Sequence, residues 1–328
     1  MKFSQFTKHL EKIENVSSRL EITRLLAELL KELHADEIAM GLYLMQGRVA
    51  PLFDSIEFGM AEKSVAKSAI SAMNIEKKYF DTELKKIGDI GLAVEHFKHQ
   101  FTSFDQADLE LDFVFKQLVL LAEQNGAGSQ ERKSNILAHM IRQLDPLSTR
   151  YLVRIPLGAL RIGFSDMTVL DAFSWMLTGG KSLRSQIEQA YHVRPDIGFL
   201  GAVLKKKGVK GLGVVAPTLF TPILMMRAER LSSGVEIIEK IGSCSIEPKY
   251  DGFRLQIHFA KKDKKVKMIS RNLEDVSHMF PDLVKAVSMG VHADEAIIEG
   301  EAIGFDPKTG QLLPFQETTK RKRKHDIE

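Results

Sequence analysis

A chain of 328 residues with 44% apolar and 27% charged side chains has material for two domains with proper cores, and its apolar runs fall short of the roughly 18 to 20 residues that a membrane-spanning helix needs. The single cysteine, Cys244, excludes an intrachain disulfide and a thiolate metal site of its own, and the amino terminus MKFSQFTKHLEKIENV lacks a secretory apolar core, so a reducing cytoplasmic setting is expected. The net charge of +3 hides an uneven spread: residues 1–130 hold 15 Lys+Arg against 20 Asp+Glu, residues 131–210 hold 13 against 6, and residues 211–328 hold 18 against 17, which fits either a phosphate-binding face or unevenly solvated helices.

From Met1 to about Val209 the apolar spacing is helical. Phe3, Phe6, Leu10 and Ile13 fall on one stripe, and Ser18-Arg19-Leu20-Glu21 reads as a capping box opening a helix with Leu25, Leu26, Leu29, Leu30 and Leu33. Further helices are predicted over Asp108 to Gln124, Gln130 to Gln143, Met167 to Leu177 and Ser182 to His192, with Gly126-Ala127-Gly128 and Gly179-Gly180 as breaks. An all-α domain over residues 1–215 is the expectation, with Pro217 and Pro222 in the connection that follows.

From Ser245 the period shortens to two. Phe253, Leu255, Ile257 and Phe259 alternate with Arg254, Gln256 and His258, and KKDKK (Lys261 to Lys265) turns the chain into Val266, Met268 and Ser270. A second turn at Asp306-Pro307-Lys308-Thr309-Gly310 joins Ala296–Phe305 to Gln311–Phe315, with a short helix near Asp282 to Val287. Residues 216–328 are therefore expected to form part of an α+β domain with antiparallel strands.

Glu247-Pro248-Lys249-Tyr250-Asp251-Gly252-Phe253-Arg254 sets a lysine among charged residues, a pattern that chance would place in a chain this long roughly once in several thousand sequences. A lysine amine attacks only when unprotonated, and partial burial, neighbouring cations or a metal-bound triphosphate favour that form. Gly252 permits a tight backbone turn, and Asp251 can orient Lys249 or end the strand. His192, His278 and His292 show no metal-ligand spacing. Taken singly, each charged residue here reads as a solvated charge or an ordinary surface ion pair.

The run resembles motif I of the covalent nucleotidyltransferases. Ser270-Arg271-Asn272 resembles motif Ia of the DNA ligases and Ile298-Glu299-Gly300-Glu301-Ala302 their motif III. PFQETTKRKRK (Pro314 to Lys324) is similar to the segment after motif III in ATP-dependent DNA ligases of the archaeal and eukaryotic type, and Tyr151 to Met176 to part of that family's helical DNA-binding domain. The resemblance implies ATP and Mg²⁺. Lys249 would carry AMP, with Glu247 at the adenine edge, Arg254 at the ribose, Arg271 near the phosphates, and Glu301 at a ribose hydroxyl or the metal. It also implies nicked duplex DNA as partner, met through backbone and shape.

In the helical block Arg154, Arg161, Lys181, Arg184, Arg194 and Lys205-Lys206-Lys207 are candidate phosphate contacts, helped by Gly158, Gly163 and helix starts at Ser165 and Asp196. Lys320 to Lys324 reads as a solvated basic loop. The chain ends before the family's later motifs and OB-fold domain, so it is expected to be the first part of a longer, monomeric protein of cytoplasm or nucleoid, and weakly active or inactive in nick sealing as it stands. A sliding-clamp motif is not visible. A non-catalytic DNA-binding fragment and another nucleotidyltransferase, such as an RNA ligase, remain the alternatives.

Overall fold

Helical periodicity in the first two thirds of the chain becomes twelve α-helices among the described residues: Phe3–Glu14 (α1), Arg19–Glu32 (α2), Ile38–Met45 (α3), Glu62–Met73 (α4), Lys77–Ile87 (α5), Ile90–Gln100 (α6), Leu111–Ala122 (α7), Ser129–Gln143 (α8), Pro146–Arg154 (α9), Asp166–Thr178 (α10), Arg184–Val193 (α11) and Ile197–Lys207 (α12). The computed structural model describes residues 1–100, 106–226 and 228–323. Lys324, the last residue of the basic run, lies outside them. The chain divides into two compact units, Met1–Tyr191 with Asp196–Val215, and His192–Pro195 with Ala216–Glu328. No described helix is long and apolar enough to cross a membrane.

In the first unit the apolar stripes become the core: Phe3, Phe6, Leu10 and Ile13 of α1 and Leu26, Leu29 and Leu30 of α2 are buried. The Ser18 hydroxyl accepts the Glu21 N–H at the start of α2. The expected capping box forms only in that half, because the Glu21 carboxylate turns to Arg24 at 3.2 Å. Helix α6 packs on α9, α10 on α2, α4 on α8 and α12 on α3.

Charge is buried where α6 meets α9. Arg154 has no exposed side-chain surface; its guanidinium donates to Asp89 at 3.1 and 2.7 Å and to both Glu14 oxygens at 3.0 Å. Gly91 makes room for it, since a Cβ there would lie 2.5 Å from Arg154 Nε. Arg150 adds bonds to Glu95 (3.1 Å), Glu11 (3.3 Å) and the Tyr151 hydroxyl (3.0 Å), and that hydroxyl donates to Glu14. Burial works against the charge on Asp89, but the Leu92 amide and the Arg154 and Arg161 guanidiniums outweigh it and hold the carboxyl below the usual range.

The second unit is built on a three-stranded antiparallel sheet in the order β2-β1-β3: Phe253–Ala260 (β1), Lys265–Ser270 (β2) and Glu295–Ala302 (β3). The KKDKK turn and the β1–β2 hairpin are as expected. The second hairpin is reduced to one bridge, Phe305 with Leu312, because the chain enters a short helix at Phe315. This unit also holds the helices Gly234–Ile241 (α13), Pro281–Gly290 (α14) and Phe315–Thr319 (α15). Leu255, Met268, Val276, Met279 and Phe280 form the core on one sheet face, with Leu283, Val284 and Val287 of α14 packed against them.

Candidate active site

At the start of β1 the second unit opens into a cleft of about 1030 Å³. All seven residues expected at a nucleotide site line it: Glu247, Lys249, Asp251, Gly252, Arg254, Arg271 and Glu301. They come from three runs separated by up to about 50 residues, and the sheet joins them. The register places Arg254 directly across from Glu301, so both side chains leave the same face of the sheet. Arg271 arrives from the loop after β2, where the Ser270 hydroxyl accepts the N–H groups of Asn272 (3.2 Å) and Glu274 (3.3 Å). That bonding folds the loop back on itself and leaves Arg271 exposed in the cleft.

The support for Lys249 differs in detail from expectation. Gly252 is not in the left-handed region; it is needed because β3 passes so close that a Cβ would lie 2.7 Å from the Ala302 carbonyl oxygen, Glu301 Cγ and Ile303 Cγ1. The Asp251 carboxylate accepts the Phe315 N–H at 3.3 Å, which ties the lysine run to the start of α15. Phe253 reinforces that tie by stacking on Phe315, with centroids 6.1 Å apart. The basic run after α15 is not simply a solvated loop: Arg321 makes a bidentate pair with Asp282 at 2.7 and 3.0 Å.

Glu299, two positions before Glu301 on β3, supports the cleft from behind through Arg254. Its carboxylate accepts from Arg254 Nε at 2.7 Å. This bond first, then the charges of Glu299 and Glu301, raise the Arg254 pKa above its ordinary value and hold the guanidinium charged. Among the described residues no group of three or more His, Cys, Asp or Glu side chains forms a metal cage. Four exposed carboxylates, Glu247, Asp251, Glu274 and Glu301, line the cleft beside three basic side chains, and no tight cage is needed for Mg²⁺ carried in by a triphosphate, because that ion keeps most of its waters and takes few protein ligands.

The polar side of β1 is not a solvent face. Gln256 and His258 are buried beneath residues 220–223. The Phe220 N–H donates to His258 Nδ1 at 3.0 Å, so the ring proton sits on Nε2 and is donated to Gln256 Oε1 at 3.0 Å. Burial, with the Lys267 charge adding to it, pushes the His258 pKa down to about 4.

An unfolded histidine takes up its proton near pH 6.5, before the folded one does, so this network's stabilisation is complete above about 6.5 and falls as pH drops towards 4. The full swing is roughly 3 kcal/mol. Urea unfolding of the second unit at pH 7.5 and 4.5 should show most of that loss, and His258→Asn should flatten the profile. An equal slope in the variant would place the titration elsewhere.

The basic residues of the helical block divide by environment. Arg154 leaves the expected set of phosphate contacts, because it is fully buried and neutralised by Asp89 and Glu14. Lys205 is half-buried and donates to the carbonyls of Leu30 (2.8 Å) and Lys31 (2.7 Å), satisfying the end of α2. Arg184 lies between Asp171 (2.8 Å) and Glu188 (2.9 Å), and Arg194 is half-buried. Arg161, Lys181 and Lys206 are exposed, paired with Asp89, Asp171 and Asp36 respectively, and Lys207 is exposed. Gly158, Arg161 and Gly163 have φ of 61°, 59° and 62°, so the loop before α10 is sharply folded.

Family comparisons match both units. The family described as DNA ligase N terminus matches residues 2–174, more than half of the chain, and that described as ATP dependent DNA ligase domain matches residues 225–328. The chain belongs to the ATP-dependent DNA ligase family. Similar curated proteins include a "Probable DNA ligase" of Dictyoglomus turgidum, 41% identical over 327 residues, covering 100% of this chain and 55% of the relative. A "DNA ligase" of Sulfurisphaera tokodaii is 37% identical over 338 residues, covering 100% and 56%. "DNA ligase 2" of Thermofilum pendens is 38% identical over 328 residues, covering 97% and 54%. The chain thus spans about half the length of the curated ligases it matches. The helical unit followed by a small antiparallel sheet fits a ligase DNA-binding region followed by part of an adenylation domain.

Proposed function

We propose that this ligase chain supplies the nucleotide-transfer lysine and a DNA grip for sealing nicks in duplex DNA. The observation that carries the reading is the convergence of Lys249, Glu247, Arg254, Arg271 and Glu301 on one cleft. Unprotonated Lys249 Nζ would attack the α-phosphorus of ATP. A P–N bond forms as the P–O bond to pyrophosphate breaks, and the amine proton passes to solvent. Arg254 and Arg271 would hold ribose and phosphate, Glu247 would read the adenine edge, and Glu301 would take a ribose hydroxyl or Mg²⁺. The metal, when bound, offsets charge on the leaving pyrophosphate. AMP would then pass to the 5′-phosphate of a nick, where attack by the 3′-hydroxyl expels it. The test is incubation with Mg²⁺ and labelled ATP followed by peptide mapping: AMP should sit on Lys249, and label on another residue would overturn the assignment.

Residues 1–215 are proposed as the DNA-binding domain and 216–328 as part of the adenylation domain. The exposed Arg161, Lys181, Lys206 and Lys207 are the supporting candidates for phosphate contact. Duplex binding by the chain, or by residues 1–215, should show little sequence preference and should weaken with salt by about −0.9 in log K against log salt for each phosphate contacted. Lys206→Ala with Lys207→Ala should lower that slope by about 1 to 2 if both side chains touch phosphate. An unchanged slope in a fluorescence-anisotropy titration would place the DNA face elsewhere.

A further inference from the structure

Residues 218–223 carry a strained turn held by side chains of the sheet. The Thr221 N–H bonds the Thr218 carbonyl at 3.1 Å, and Phe220 inside the turn has φ +67°, a left-handed conformation unfavourable for an ordinary side chain. Four contacts from the sheet hold this segment. His258 Nδ1 accepts the Phe220 N–H at 3.0 Å, and Gln256 Oε1 accepts the Ile223 N–H at 2.8 Å. Gln256 Nε2 donates to the Ile223 carbonyl at 3.2 Å. The Lys265 ammonium lies 4.3 Å from the centre of the Phe220 ring.

Every polar atom of the Gln256 and His258 side chains is thus used on residues 220–223 or on the bond between them, in a site with almost no exposure. Two residues further on, Met225 and Met226 enter the wall of the nucleotide cleft, together with Ala228. Gln256 itself lies two positions from Arg254 on the same sheet face, so one strand sets both the charged floor of the cleft and the anchor of its apolar wall.

We propose that Gln256 and His258 are positioning residues that fix the part of the cleft wall made by Met225, Met226 and Ala228 for ATP by clasping residues 220–223 to the sheet; this rests on reading the cleft as a nucleotide site. They touch no substrate. Their effect passes through the backbone of the clasped segment, so losing either side chain should release the wall while leaving the core face of the sheet packed.

The test uses the full chain and reads hydrogen exchange at Phe220 and Ile223, together with equilibrium dialysis of labelled ATP with Mg²⁺. Gln256→Leu and His258→Leu should lose amide protection there and weaken ATP binding about tenfold, the loss of one to two net hydrogen bonds that order the wall. His258→Asn, which keeps an acceptor for Phe220, should retain most of both. If the variants fold by circular dichroism and bind ATP with unchanged Kd, the positioning role falls while the nucleotide reading stands. Unprotected amides in the unaltered chain overturn the clasp directly. Failure of the unaltered chain to bind ATP overturns the nucleotide reading and this role with it. Should the leucine variants fail to fold, Lys265→Ala, which removes only the exposed cation over Phe220, should raise exchange at Phe220 and weaken ATP binding by a smaller factor; no change in either would overturn the clasp.

Discussion

Arg154→Ala should destabilise the helical unit by about 3–5 kcal/mol, the usual cost of removing one partner from a buried charge cluster. The guanidinium is the shared partner of Asp89, the residue just before α6, and Glu14, at the end of α1. Without it the Asp89 carboxylate keeps the Leu92 amide and the Arg161 guanidinium as its partners but loses its two closest Arg154 bonds in a site only 6% exposed. The space left beside Gly91 adds a cavity between α6 and α9. Urea unfolding of the helical unit measures the loss. Arg161→Ala is the control: its side chain is 58% exposed, and its removal should cost under about 1 kcal/mol. A phosphate-contacting Arg154 would give the opposite pattern, with normal stability and weakened DNA binding.

The contrast between Arg154 and the cleft residues explains what the sequence could reveal. Lys249, Asp251, Gly252 and Arg254 lie within six residues, and Arg271 and Glu301 sit in short runs of their own, so a local pattern was enough to bring the set forward. The helical stripe of Phe3, Phe6, Leu10 and Ile13 was readable for the same reason, since periodicity is a local property. Arg154 depends on Glu14 and Asp89, which are 140 and 65 positions away, and nothing in a run of basic residues tells a buried arginine from an exposed one. Gln256 and His258 failed to declare themselves in a related way. Alternation along β1 assigned them to one face, but the cover over that face comes from residues 220–223, a stretch without periodicity of its own. The reason for glycine at 252 is equally invisible along the sequence, because the neighbour it admits, the end of β3, lies 50 residues further along the chain.

The largest effect on chemistry is expected at Lys249. Lys249→Ala removes the amine proposed to form the P–N bond, so AMP transfer should fall by on the order of 10⁴-fold or more, to background. Duplex DNA binding should change little, because the candidate phosphate contacts lie in the helical unit. Lys249→Arg separates charge from nucleophilicity. A guanidinium supplies the same positive charge to the triphosphate but stays protonated at any workable pH, with its electrons delocalised over three nitrogens. ATP should therefore still bind, and no adduct should form on the arginine variant. If Lys249 served only to attract phosphate, the arginine variant would retain activity, and labelled AMP on Lys249→Arg would be enough to move the nucleophile to another residue.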